Sequence, residues 1–280
     1  MALSNFFKSV DKCIAMTRSP FMFLQWKERV AGDNRLSVPY KNQAVVALRH
    51  RKSYLCRDWG IRDRLQVLST HYARLERLPR VWSDRLLDHQ SIAICEVALK
   101  SGGALLLSLE PSEFGKEGEM GFYLRAADGE RMYSMNFTFA PGDRVLIGGL
   151  QGPRPTVEEG TLRVLGKEMF GMRPKNLLLT ALYAFSELAG CKQLLGVTDM
   201  AHVCSDRLKS SYDLFWQEAQ GAPLDRCWYR LPDTEPVRDI AEVKSQRRGE
   251  FRRREALRET LVQDIRAAWS SAVAEAGAMV

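Results

Sequence analysis

The chain has 280 residues, 45% hydrophobic and 27% charged, ordinary values for a globular protein able to bury one large core or two intimate ones. No stretch reaches the roughly 18 consecutive apolar residues of a membrane span. The net charge of +7 is unevenly spread. Nine Lys/Arg face three acids between Arg49 and Arg80, and seven face two between Lys244 and Arg258. Two such clusters can attract a polyanion, whether nucleic acid, phosphorylated cofactor or anionic membrane, or can simply be solvated helical faces.

Asp11, Lys12 and Arg18 interrupt the N-terminal segment, so a cleaved secretion signal is not expected and the chain reads as cytoplasmic. The six cysteines (Cys13, Cys56, Cys95, Cys191, Cys204 and Cys227) form no C-x-x-C pair, and only Cys204 has a near histidine, His202. That pattern predicts reduced thiols and no metal site.

Residues 1–90 read as a helical region, in which Ile61, Leu65, Leu68, Tyr72 and Leu75 recur at helical spacing and Pro79 ends the helix. The period then changes. Residues 91–100 and 104–110 are short apolar runs around Ser101-Gly102-Gly103, a hairpin signal. Residues 120–125, 131–140 and 144–150 continue as strands, separated by turns at Ala127-Asp128-Gly129 and Pro141-Gly142-Asp143. Five strands at hairpin spacing predict a largely antiparallel sheet.

Beyond Gly152 a helix is expected over 157–170, and a second opens at Pro174, which has no amide hydrogen to leave unpaired. Its stripe of Leu178, Leu182, Phe185 and Ala189 ends at Gly190. Residues 193–198 read as a strand, and Ser205 or Asp206 as the cap of a helix to 218 that buries Leu208, Tyr212, Phe215 and Trp216. A short strand at 227–231 and a charged helix over 237–272 complete the chain. The expected class is α+β: a helical region at 1–90, a mixed but mainly antiparallel sheet flanked by helices at 91–235, and a basic C-terminal helix within 236–280.

Several short motifs carry a family resemblance. They are His71-Tyr72, Glu117-Gly118-Glu119, Phe137-Thr138-Phe139, Ile147-Gly148-Gly149-Leu150-Gln151-Gly152, Gly171-Met172-Arg173-Pro174-Lys175, Tyr212-Asp213-Leu214-Phe215-Trp216, Leu231-Pro232 and Arg252-Arg253-Arg254. In this order over residues 71–254, they resemble the VirK/YbjX family. The resemblance implies a bacterial cytosolic protein, sometimes associated with virulence or with envelope and antimicrobial-peptide responses. It assigns no catalytic residue.

The order of elements over 91–231 also resembles the GNAT (N-acetyltransferase-like) fold. There a meander leads to a loop whose amides, with the next helix N-terminus, hold the pyrophosphate of coenzyme A. The resemblance makes Gly171, Arg173, Lys175 and Asn176 the phosphate loop, and the strand at 193–198 a partner for an acyl or pantetheine arm. Tyr212 or Tyr183 would protonate the leaving group, and Glu119 or His202 would serve as base. Arg252 and Arg253 would form an anion-binding wall. Acyl-CoA, an acyl-carrier thioester or aminoacyl-tRNA would be the donor, and an amine or hydroxyl on a small molecule, lipid or peptide the acceptor.

Plainer readings stand beside each of these. The 171–175 loop has one glycine and a proline where backbone usually approaches phosphate, so it can be a basic helix start only. Tyr212 shares an apolar face with Phe215 and Trp216, and His202 and His71 can be structural. Gly148-Gly149 can admit a ligand or form a turn with a β-bulge. The arginines at 252–254 can pair with Glu250 and Glu255 on a solvated helix. Three functions therefore remain open: an acyltransferase, a non-enzymatic regulator or adaptor that keeps the fold, and a nucleic-acid-binding protein.

Overall fold

A computed structural model describes residues 20–41, 45–154, 157 and 160–278. Cys13 and the N-terminal charge pattern lie outside the described residues. The elements in chain order are α1 (Pro20–Gly32), α2 (Ile61–Leu75), α3 (Arg80–Leu87), β1 (Ile92–Ala98), β2 (Ala104–Pro111), β3 (Met120–Arg125), β4 (Arg131–Ala140) and β5 (Arg144–Gln151). They continue with α4 (Thr161–Glu168), α5 (Pro174–Leu188), β6 (Gln193–Val197), α6 (Tyr212–Glu218), β7 (Ala222–Pro223), β8 (Trp228–Arg230) and α7 (Arg248–Ala278). The protein is α+β, with an 8-stranded sheet in the order β1-β2-β3-β4-β5-β6-β8-β7. Every pairing is antiparallel except β5 with β6. Parallel strands need a crossover, and α5 supplies it.

The alternation along β2, β3 and β4 separates two faces. Leu107, Leu109, Phe122, Leu124, Met135 and Phe137 fall on one face by register. The Phe185 ring of α5 lies 5.7 Å from Phe122, 5.8 Å from Phe137 and 6.1 Å from Trp269 of α7. Burying each such side chain stabilises the fold by about 1.5–3 kcal/mol. The other face carries Ser108, Glu110, Tyr123, Ser134 and Asn136, all buried. Buried polar groups call for internal partners, and Asn136 on this face leads to the candidate site through Glu117.

The meander agrees with the sequence reading, and several later elements differ. The helix expected over 157–170 is the shorter α4, Thr161–Glu168, with residues 158–159 outside the description. Residues Ser205–Arg207 form only a 3-10 turn, and α6 starts at Tyr212 under a Ser211 cap whose Oγ accepts from the Leu214 amide at 3.1 Å. The cap moves there because Asp199 holds both Ser211 Oγ and the Tyr212 amide. The last helix begins at Arg248 rather than 237. Asp239 accepts from the Ala241 amide at 2.8 Å and diverts the preceding backbone into a 3-10 turn. Two-residue β7 was not expected. Among the described residues no helix is long and apolar enough to cross a membrane.

Candidate functional site

The sheet forks between β5 and β6. Their parallel pairing covers only Arg144–Ile147 against Gln193–Gly196. On the β4 side, Asn136 pairs with Gly149 but Phe137 pairs with Ile147, which leaves Gly148 as the extra residue of a β-bulge. The strands therefore part at the bulge, and side chains of α6 enter the gap. The Tyr212 hydroxyl accepts from the Leu150 amide at 2.8 Å and donates to the Leu150 carbonyl at 3.1 Å. One turn later on the same helical face, Trp216 Nε1 donates to the Val197 carbonyl at 2.8 Å. Gly196 has no alternative here, because a Cβ on it would overlap the Trp216 indole.

Below the bulge sits Glu117. The loop carrying it passes so close to β4 that a Cβ on Gly118 would fall 2.6 Å from the Phe137 nitrogen. A Cβ on Gly148 would strike the Glu117 carbonyl, and one on Gly149 would overlap its carboxylate. The three glycines are thus what lets this glutamate sit under the fork. Its carboxylate accepts from Gln151 Nε2 at 2.8 and 2.9 Å, with Asn136 Nδ2 at 3.5 Å. Burial pushes its pKa up to about 7, against the lowering effect of Gln151, Arg131 and Asn136. A carboxyl so placed can take or return a proton near neutral pH.

His202 and Tyr212 join this pocket. His202 Nε2 is 3.7 Å from Glu117 Oε1, and its Nδ1 accepts from the Cys204 amide at 3.0 Å. Burial lowers the His202 pKa, so the neutral ring contacts Glu117 without forming an ion pair. The His202 and Tyr212 rings meet edge to face at 5.0 Å. Burial, followed by the nearby Glu117 charge, holds the Tyr212 phenol well above its usual pKa, so it keeps its proton.

Glu119 lies elsewhere. Arg49 pairs with its Oε2 at 2.7 Å, and the Tyr72 hydroxyl donates to the same oxygen. Burial would raise its pKa, but Arg49, His71 and Tyr72 outweigh that and hold it below the usual carboxylate range. A carboxylate committed in this way is a poor base. His71 stacks on Phe139 at 5.5 Å and accepts from its amide at 3.3 Å; burial brings its pKa down to about 4. Tyr183 donates to the Pro232 carbonyl at 3.0 Å.

The start of α5 borders a cleft of about 690 Å³, lined by Gly171, Arg173, Asn176, Glu218, Arg254 and Arg258 among others. Its arginines are paired within the chain: Arg173 with Glu218 at 2.5 Å and Arg258 with Glu235 at 2.7 Å. Lys175 Nζ lies 4.4 Å from the centre of the Phe215 ring. Arg252 and Arg253 are exposed, and the α7 arginines that line the cleft are Arg254 and Arg258. The amides of Gly171, Met172, Asn176 and Leu177 bond to chain carbonyls, and Pro174 has none. The cleft thus presents guanidinium groups, and these four amides at the loop and the helix start are already bonded within the chain. Among the described residues no group of three or more His, Cys, Asp or Glu could hold a metal ion.

A family model for a protein of unknown function, DUF535, matches residues 4–267. The chain belongs to that family. It is 25% identical over 248 residues to the uncharacterized protein YbjX of Escherichia coli (strain K12), which covers 84% of this chain and 75% of that protein. This is the VirK/YbjX family that the ordered motifs resemble. An uncharacterized Haemophilus influenzae protein is 27% identical over 196 residues, 68% of this chain and 65% of that one. The stretch Glu117-Gly118-Glu119 contains the buried carboxyl with the raised pKa, but the sequence does not say which glutamate it is. What separates them is a direct cation partner: Arg49 pairs with Glu119 at 2.7 Å, whereas buried Glu117 has the neutral Gln151.

Proposed function

We propose that the protein is an acyltransferase of the GNAT-like type, moving an acyl or aminoacyl group from a phosphorylated carrier to an amine or hydroxyl acceptor. The reaction centre is the fork at Gly148. One observation carries the reading: among the described residues, the one parallel strand pair of the sheet ends at a bulge beside Glu117, whose pKa is raised to about 7. A fork of this kind lets an extended acyl arm pair with the strand edge at Leu150 by replacing the Tyr212 hydroxyl that holds its amide and carbonyl. Glu117, directly or through water, removes the proton of the attacking amine or hydroxyl. The new bond to the acyl carbon forms, the bond to the carrier sulfur or oxygen breaks, and Tyr212 supplies the proton to the leaving group. Arg173, Arg254 and Arg258 serve the carrier phosphates by exchanging their carboxylate partners for phosphate oxygens.

A second reading is an adaptor that keeps the fold without turnover. It is favoured by Tyr212 and Trp216, which already fill the fork, and by the internal pairing of Arg173 and Arg258. Thermal melting with acyl-CoA, with carrier-protein thioesters and with charged tRNA separates the two. The transferase reading expects one donor class to raise the melting temperature, and Arg173→Ala with Arg254→Ala to abolish the rise. No rise with any donor supports the adaptor.

A further inference from the structure

A segment crossing the fork carries chemistry that acyl transfer does not use. Tyr54, Leu55 and Cys56 form a tight strap in which the Cys56 amide donates to the Tyr54 carbonyl at 2.7 Å. Leu55 is held at φ 58° although it is not glycine, a strained conformation for a branched apolar side chain. The surroundings fix it. The Leu55 amide donates to the Lys116 carbonyl at 2.7 Å, beside Glu117, and the Arg57 amide to the Ala201 carbonyl at 2.8 Å, beside His202. The Leu55 side chain packs against Gly148 itself. Cys56 pairs backbone to backbone with His202.

At the end of this strap Cys56 Sγ lies 3.1 Å from Cys227 Sγ, in the residue before β8, 171 positions away in sequence. Both are free thiols. We propose that Cys56 and Cys227 are a reversible dithiol–disulfide pair, oxidised by a small-molecule disulfide such as oxidised glutathione, that fastens the 54–57 strap to the strand edge at β8. The sulfurs are already in contact, so small side-chain rotations bring them to the bonding distance of about 2.05 Å.

Burial divides the two roles. Cys227 is half-buried and Cys56 fully buried, so the outside disulfide meets Cys227 first. The Cys227 thiolate attacks one sulfur of the small disulfide, forming a mixed disulfide and releasing one small thiol. Cys56, whose pKa burial and the neighbouring thiol push up to about 12, is a poor attacker of free oxidant and acts as the resolving thiol. It loses its proton, attacks Cys227 Sγ and displaces the second small thiol. Two protein thiols and one small disulfide thus become one protein disulfide and two small thiols. The pairing does not depend on the acyl-transfer reading. Under that reading the oxidised form holds a fixed roof over Gly148.

The test uses the full chain equilibrated in buffers of graded reduced and oxidised glutathione, followed by non-reducing peptide mapping and thermal melting. The expected result is a peptide cross-linking Cys56 to Cys227 that disappears with dithiothreitol, with a melting temperature about 5–10 °C higher in the oxidised form. Cys227→Ser loses both effects and Cys204→Ser keeps both. Because Cys227 is half-buried, its serine variant folds, and reduced wild type supplies the baseline for comparison. Glutathione retained on Cys227 without a cross-link, a cross-link through Cys204 or between molecules, or no oxidation at all would each overturn the proposal.

Discussion

The Tyr212 hydroxyl engages both backbone groups of Leu150, 2.8 Å from the amide nitrogen and 3.1 Å from the carbonyl oxygen. It does for β5 what a neighbouring strand, or the amide of an incoming acyl arm, would otherwise do. Tyr212→Phe keeps the ring and removes the hydroxyl, leaving two buried backbone groups without this partner. The expected loss of stability is about 1–3 kcal/mol, read from urea unfolding at neutral pH. A neutral result would mean that water reaches the fork.

Glu117 predicts a particular pH dependence. Its folded pKa of about 7 stands above the ordinary glutamate value of 4.5, so folding favours the protonated form. Its stabilising share is therefore complete below pH 4.5, falls as pH rises, and is gone above about 7. Glu117→Gln removes that titration. The variant should gain stability relative to wild type between pH 4.5 and 7, by at most a few kcal/mol at about 1.4 kcal/mol per pKa unit. Parallel unfolding curves at pH 5, 6, 7 and 8 measure the gain; a constant difference would show that Glu117 is ionised throughout.

Arg49 and Glu119 behave oppositely. Arg49→Met strands a buried carboxylate, and a loss of about 3–5 kcal/mol is expected. Glu119→Gln in the same background should recover part of it, since the unpaired charge disappears. A double-mutant cycle with additive losses would contradict this coupling.

Gly148 is the point at which bulge, strap and glutamate meet. A methyl there runs into the Glu117 carbonyl and the Leu55 side chain, and backbone does not yield cheaply. Gly148→Ala should cost about 1–3 kcal/mol in unfolding experiments. Gly149→Ala meets the Glu117 side chain from its carboxylate to its Cβ, the latter at 2.7 Å. It should therefore lower stability and disturb the neutral-pH titration of Glu117 together.

Much of this fold is legible in the sequence, and the reasons are local. Strands β1 to β5 announce themselves through alternating residues and turn signals at Ser101-Gly102-Gly103 and Pro141-Gly142-Asp143. Helix α5 shows its proline start and apolar stripe. Side-chain hydrogen bonds redirect the rest: Asp199 moves the cap of α6 to Ser211, and Asp239 delays α7. The candidate site is less legible. Glu117 and Glu119 look alike in the motif and part company only because one finds Gln151 and the other Arg49. Gly148-Gly149 can serve as a turn or a bulge, and only the offset pairing with β4 decides. The arginines that reach the cleft, Arg254 and Arg258, are separated from exposed Arg252 and Arg253 by helix phase against neighbours distant in sequence.

The most direct test of the central claim is the rate of donor consumption, followed as release of free thiol or free tRNA, in wild type and Glu117→Gln from pH 5 to 9. The wild-type rate is expected to rise with pH through about 7 and level off, as the base ionises. Glu117→Gln, with donor affinity unchanged, is expected to be slower by about 10²–10⁴-fold and to lose that rise. A wild type that consumes no donor, or a Glu117→Gln variant that matches it, would contradict a transfer centre at the Gly148 fork.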